Sequence, residues 1–181
     1  MTTDPRPMIS LRRQAGFSLI EVLVSVVIMS VGILGVAGMQ VISLQQNRSS
    51  MLRAEALQLG NDILDRMRVN PQQDYALFEF GDAPPGSSDC ITNACTPAQM
   101  RDYDIAQWIC SINSEDSDGD TWPRCLAYGI TGALPEGAGA IVDNSDDALC
   151  PVEPDEVCVT VRWQDVRDGT TGSIALRTRI R

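Results

Sequence analysis

The chain of 181 residues has no histidine and no lysine, and all fourteen of its cationic side chains are arginine. Without histidine it lacks the commonest general base near neutral pH and the commonest nitrogen ligand for a metal. None of its six cysteines forms a Cys-x-x-Cys pair. That spacing argues against a four-cysteine zinc site and against dithiol redox chemistry. With no glycine-rich phosphate loop and no setting for an activated nucleophile, the chain is not expected to be an enzyme. Positive charge is scarce: 14 arginines face 24 acids, for a net charge of −10. Residues 1–16 hold Arg6, Arg12 and Arg13 against Asp4, a net +2, so the remainder carries −12. A body this acidic repels nucleic acid and anionic lipid at long range, and nucleic acid is not an expected partner.

Proline is absent from Phe17 to Asn70, and charge is absent from the eighteen residues Val22–Met39. As a helix, that uncharged run would be about 27 Å long, enough to span a bilayer. The arginines before it favour a cytoplasmic N-terminus, and everything after about Leu44 would then lie outside, where disulfides persist. The run is too long for the apolar core of an ordinary cleaved signal peptide. A plain anchor also leaves Glu21 unexplained, since a carboxylate in an apolar span is costly.

The helical pattern continues past the span. Leu52, Ala56, Leu59, Ile63 and Met67 form one apolar stripe, Asp62 and Arg66 stand four apart as a surface pair, and Pro71 ends the pattern. A single helix of about 54 residues, roughly 80 Å long, is expected, with its second half laying the stripe on a globular head. Gly32, Gly35 and Gly38 are its weak points, where it bends or admits a neighbouring helix.

Residues 72–100 read as loop. Thr96-Pro97 then reads as a capped helix start, with Tyr103, Ala106 and Trp108 facing the core. Residues 111–124 are an acidic polar insertion between Cys110 and Cys125, and Leu134-Pro135-Glu136-Gly137 turns into a short strand near Ala140–Asp143. Val157, Val159, Val161 and Trp163 alternate with more polar residues, as do Ile174, Leu176, Thr178 and Ile180. With Asp168–Gly172 between them, these two runs form an antiparallel hairpin with one buried face. The fold class is α+β: a long N-terminal helix, half membrane-embedded and half amphipathic, packed on a small antiparallel sheet.

Gly16-Phe17-Ser18-Leu19-Ile20-Glu21, followed by a long apolar helix and a disulfide-bearing head, resembles the class III signal of type IV pilins. GFSLIEVLVSVVIMSVGILGVAGMQ, RAEALQLGNDILDRMRVNP, CTPAQMRDYDIAQW, LPEGAGAIV and CVTVRWQDVRDG are similar to the PilV group of minor pilins. The chain departs from that group in its acidic insertion at 111–124. It also lacks a helix-breaking proline in the apolar segment, where Gly32, Gly35 and Gly38 are the nearest equivalents. The resemblance implies a leader, 1–16, cut at Gly16–Phe17 by a prepilin peptidase that then N-methylates Phe17. It further implies a transmembrane and filament-core helix, 17–44, and a periplasmic head, 45–181. Glu21 would be the assembly carboxylate, paired with the amine of Phe17. The implied function is a minor pilin that starts type IV pilus assembly, and so twitching motility, in a tip complex with other minor pilins. Major pilin and the inner-membrane assembly platform are the remaining partners, and the inner membrane and then the cell-surface pilus are the location. The rival from the same machinery is a minor pseudopilin of a type II secretion system.

Smaller signals remain. Asp116, Asp118 and Asp120 alternate around Gly119 like a calcium loop but miss the EF-hand spacing, so a solvated acidic loop is the plainer reading and calcium the sharper one. No other cofactor is expected. Among the cysteines, local pairs are expected: Cys90–Cys95, Cys110–Cys125 and Cys150–Cys158. Arg177, Arg179 and Arg181 make a basic stripe on the last strand. It discourages edge pairing or meets an acidic partner head; DNA binding at a pilus tip is the sharper alternative.

Overall fold

A computed structural model describes residues 16–76, 78–143, 150–153, 155–165 and 169–179. The chain divides between Ser43 and Leu44 into two units.

Helix α1 runs Leu19–Val69, 51 residues. The Ser18 carbonyl accepts the amides of Glu21 at 3.0 Å and Val22 at 3.2 Å, which opens it. Glu21 lies in its first turn and Arg66 and Arg68 in its last, each on the side the helix dipole favours. It closes at Asn70, whose amide bonds back to Arg66 and Met67, and Pro71 follows. The helix passes Gly32, Gly35 and Gly38 without a break. A Cβ at any of the three would meet nothing within 4 Å.

In the unit from Leu44 onward, the expected stripe is the buried one: Leu52, Ala56, Leu59, Ile63 and Met67 are all core residues. Helix α2, Pro97–Ile112, begins with Thr96 as its cap, in a reciprocal capping box with Gln99. Tyr103, Ala106 and Trp108 are buried as expected, and so are Ile105, Ile109 and Ile112. A short helix, α3, Pro123–Tyr128, was not expected from the sequence. The polar insertion is thus shorter than its sequence reading. Helix α2 takes its first two residues, and Pro123, favourable at a first turn, starts α3.

The sheet has three antiparallel strands in the order β1-β2-β3. They are β1, Ala138–Val142, β2, Glu156–Gln164, and β3, Thr171–Arg179. Register places Val159 between Ile141 and Leu176, and Val161 opposite Ile174. These residues form one core cluster with the α1 stripe and Trp108. Two glycines permit the close approach. A Cβ at Gly60 would stand 2.7 Å from Leu176, and one at Gly139 would stand 2.4 Å from the Trp108 ring.

The sheet departs from the expected single buried face. Cys158 and Thr160, on the other side of β2, are also buried. The Cys150–Cys158 disulfide brings Val152 over them, and Arg162 lies 4.1 Å from the centre of the Phe80 ring. β1 begins two residues earlier than expected, and an isolated bridge from Phe78 to Ile141 extends its outer edge. Ile180, Arg181 and Asp168 lie outside the described residues.

The disulfides are Cys90–Cys95, Cys110–Cys125 and Cys150–Cys158. Cys110 and Cys125 are fully buried and close a loop with a sequence separation of 15. Replacing both by serine is expected to lower stability by roughly 3 kcal/mol, read as a lower urea midpoint of the full chain in detergent. A shift corresponding to less than about 1 kcal/mol would show that the α2–α3 corner holds without the bond.

Candidate functional site

The residues expected to be processed and to direct assembly, Gly16, Phe17 and Glu21, lie in the N-terminal unit. Gly16, Phe17 and Ser18 precede the helix in non-helical backbone, and Phe17 is 84% exposed. Nothing among the described residues covers the Gly16–Phe17 bond. The expected leader residues 1–15, with Arg12 and Arg13, lie outside the described residues.

From Leu19 the helix is long and apolar enough to cross a membrane, and its membrane-like window has no buried residue. Two of its few hydroxyls satisfy themselves: Ser25 donates to the Val22 carbonyl and Ser30 to the Val27 carbonyl, each at 2.8 Å. Such back-bonding removes the need for a partner in an apolar medium. Glu21 has no such arrangement. Among the described residues its carboxylate has no partner, and it lies in the first turn of α1 at the head of the uncharged span.

In the acidic loop one carboxylate serves the backbone. Asp116 Oδ1 accepts the amides of Asp118 at 3.0 Å and of Asp120 at 2.9 Å. The Asp116 amide in turn donates to the Asp120 carbonyl at 2.9 Å, and Glu115 bridges to Thr121. Among the described residues, no group of three or more His, Cys, Asp or Glu side chains converges to hold a metal ion. At the other end of the sheet, Arg177 and Arg179 are exposed on β3, with Arg179 3.5 Å from Glu156. Arg181 lies outside the described residues.

A polar network that sequence reading missed joins the end of α1 to α2. Arg66 Nη1 donates to Asp104 Oδ1 and to Gln107 Oε1, each at 3.0 Å, while its Nε reaches Asp62 at 2.9 Å. The Tyr75 hydroxyl donates to Asp104 Oδ2 at 2.8 Å. Asn70 Nδ2 donates to the Pro97 carbonyl at 2.8 Å, and Gln107 Nε2 to the Tyr103 hydroxyl at 2.6 Å. Burial, then the bond to Asp104, raises the Tyr75 hydroxyl well above the usual tyrosine range. The signal was present in two pieces: DRMRVNP supplies Arg66 and Asn70, and PAQMRDYDIAQ supplies Pro97, Tyr103, Asp104 and Gln107. Their joint meaning depends on a contact across 38 residues.

Residues 11–37 match the prokaryotic N-terminal methylation motif, and residues 38–106 match the family described as Type IV pilin Tt1218. Searches of curated proteins and of solved structures gave no match. The two family matches are contiguous. They take in Glu21, the apolar helix, the buried stripe of α1, and α2 as far as Ala106. A class III signal ahead of an apolar helix fits inner-membrane anchoring, processing by prepilin peptidase, and assembly with other pilins. Over residues 11–106 the chain is thus similar to a type IV pilin preceded by its N-terminal methylation motif.

Proposed function

We propose that this chain is a minor pilin of the PilV type that primes assembly of the type IV pilus within a tip complex. The observation that carries the proposal is Glu21, a carboxylate in the first turn of α1, immediately ahead of the exposed and uncharged run Val22–Met39. Hydrolysis of the Gly16–Phe17 bond by prepilin peptidase frees an amine on Phe17, which is then methylated and stays cationic. In a bundle of apolar helices an unpaired charge costs several kcal/mol, so Glu21 selects the register in which it meets that cation on its own or a neighbouring subunit. The head needs no chemistry of its own; it presents a surface while the assembly platform adds major pilin beneath. Disulfides and the arginine-flanked start support a periplasmic head and a cytoplasmic leader. The PilV assignment rests on the sequence resemblance of the helix, the α2 region and the C-terminal hairpin.

The test is a deletion strain, in which pili sheared from the cell surface and the secreted protein profile are measured together. Loss of pili with normal secretion is the expected result. Normal pili with failed secretion would overturn the priming role and move the chain to a type II secretion pseudopilus.

A further inference from the structure

The head has a groove whose chemistry the priming role leaves unused. It lies beside β1 and has a volume of about 610 Å³, within the range of clefts that take a ligand group. Ile112 and the half-buried Trp122 give it an apolar floor. Five acidic residues line it and no basic one does. Of these, Asp82 and Asp116 already accept amides of their own turns, which leaves Glu115, Asp118 and Glu136 facing solvent. An apolar floor beneath carboxylates and an indole matches one side chain in particular. Arginine lays its aliphatic stem on apolar surface and offers its guanidinium both to carboxylates and to an aromatic face.

Along the groove, Ile141 already exchanges hydrogen bonds with Phe78, its amide donating at 2.8 Å and its carbonyl accepting at 3.4 Å, and Gly137 and Gly139 are buried in its wall. The groove is therefore open to side chains from a partner and not to an added strand.

The opposite edge of the same sheet supplies such side chains. β3 is a nine-residue strand at the edge of the sheet, paired among the described residues with β2. Arg177 and Arg179 are two apart and exposed on one side of it, Arg179 lying 3.5 Å from Glu156. We propose that the acidic groove beside β1 receives the arginine-bearing β3 edge of a second copy of this chain. The two surfaces are different parts of one head, so the contact is heterologous, and a copy with a filled groove still presents its own β3. This contact does not depend on the priming role, which could fail while the contact stands.

The test uses the full chain in cell membranes, with a photo-crosslinking amino acid at Ser117, which lines the groove. The unaltered chain is expected to give a self-crosslinked band. Arg177→Glu with Arg179→Glu should weaken that band about tenfold, the equivalent of roughly 1.4 kcal/mol. Glu115→Arg with Asp118→Arg should weaken it similarly. When the groove-reversed chain carrying the crosslinker is co-expressed with a tagged edge-reversed chain, the mixed band should return, which also shows that both variants fold. A band indifferent to both reversals, a mixed band that stays absent, or crosslinks only to a different protein would overturn the proposal.

Discussion

Trp108→Ala is expected to lower the stability of the head by about 3–5 kcal/mol, a large part of the stability of a small domain. Trp108 has no exposed surface. Its ring presses on β1 so closely that only glycine fits at 139, and its Nε1 donates to the Leu59 carbonyl of α1 at 2.9 Å. One side chain therefore joins α2, α1 and the sheet, and truncation removes all three contacts and leaves a cavity. Trp108→Phe keeps most of the apolar contact and loses the hydrogen bond, so it should cost about 1–2 kcal/mol. Urea unfolding of the full chain in detergent, followed by near-UV circular dichroism, measures both. A loss below about 1 kcal/mol for Trp108→Ala would mean that the three elements hold together without this anchor.

Those parts of the fold that repeat within one element are legible in the sequence. The stripe from Leu52 to Met67 lies on one helix, so its spacing alone reveals which face is buried. Thr96-Pro97 announces α2 because a cap is decided by its own few residues. The cysteine pairs are short-range, and the alternation of β2 and β3 is local to each strand. Glu21 was legible for the same reason: a single charge in an uncharged run needs no partner to be conspicuous. What stayed hidden depends on residues far apart in the chain. The bridge from Phe78 to Ile141 carries no periodic signal, and neither does the cover that Cys150 and Val152 place on the back of β2. Helix α3 was concealed because six residues, PRCLAY, are too few for a period to show. Asp116, Asp118 and Asp120 have ligand-like spacing, but spacing does not tell a carboxylate that faces an ion from one that accepts its own loop's amides, as Asp116 does.

The network between α1 and α2 sets the second large expectation. Removing one member by Asp104→Ala or Arg66→Ala should cost about 3 kcal/mol: the second leaves the nearly buried Asp104 carboxylate without its cation, and the first leaves the buried Tyr75 hydroxyl without its acceptor and Arg66 with Asp62 alone as counter-ion. The side chain of Asp104 is 9% exposed and that of Arg66 29%, so solvent cannot fully replace either partner. The double change Arg66→Met with Asp104→Leu should cost less than either single change, since it leaves no orphaned charge behind. Strict additivity in that cycle would show that the pair is not coupled. The same network makes a statement about alkaline pH. Tyr75 is held protonated by burial and by donating to Asp104, so its folded value lies above the value of about 10 that it has when unfolded. The folded state therefore binds more protons than the unfolded state once pH exceeds 10, and stability is full below that pH and falls as it rises. Part of the tyrosinate absorbance should appear only together with unfolding. In Asp104→Leu, Tyr75 loses the acceptor that holds its proton, and that fraction should titrate at lower pH. If it does not move, burial alone sets the Tyr75 ionisation and the bond to Asp104 contributes little.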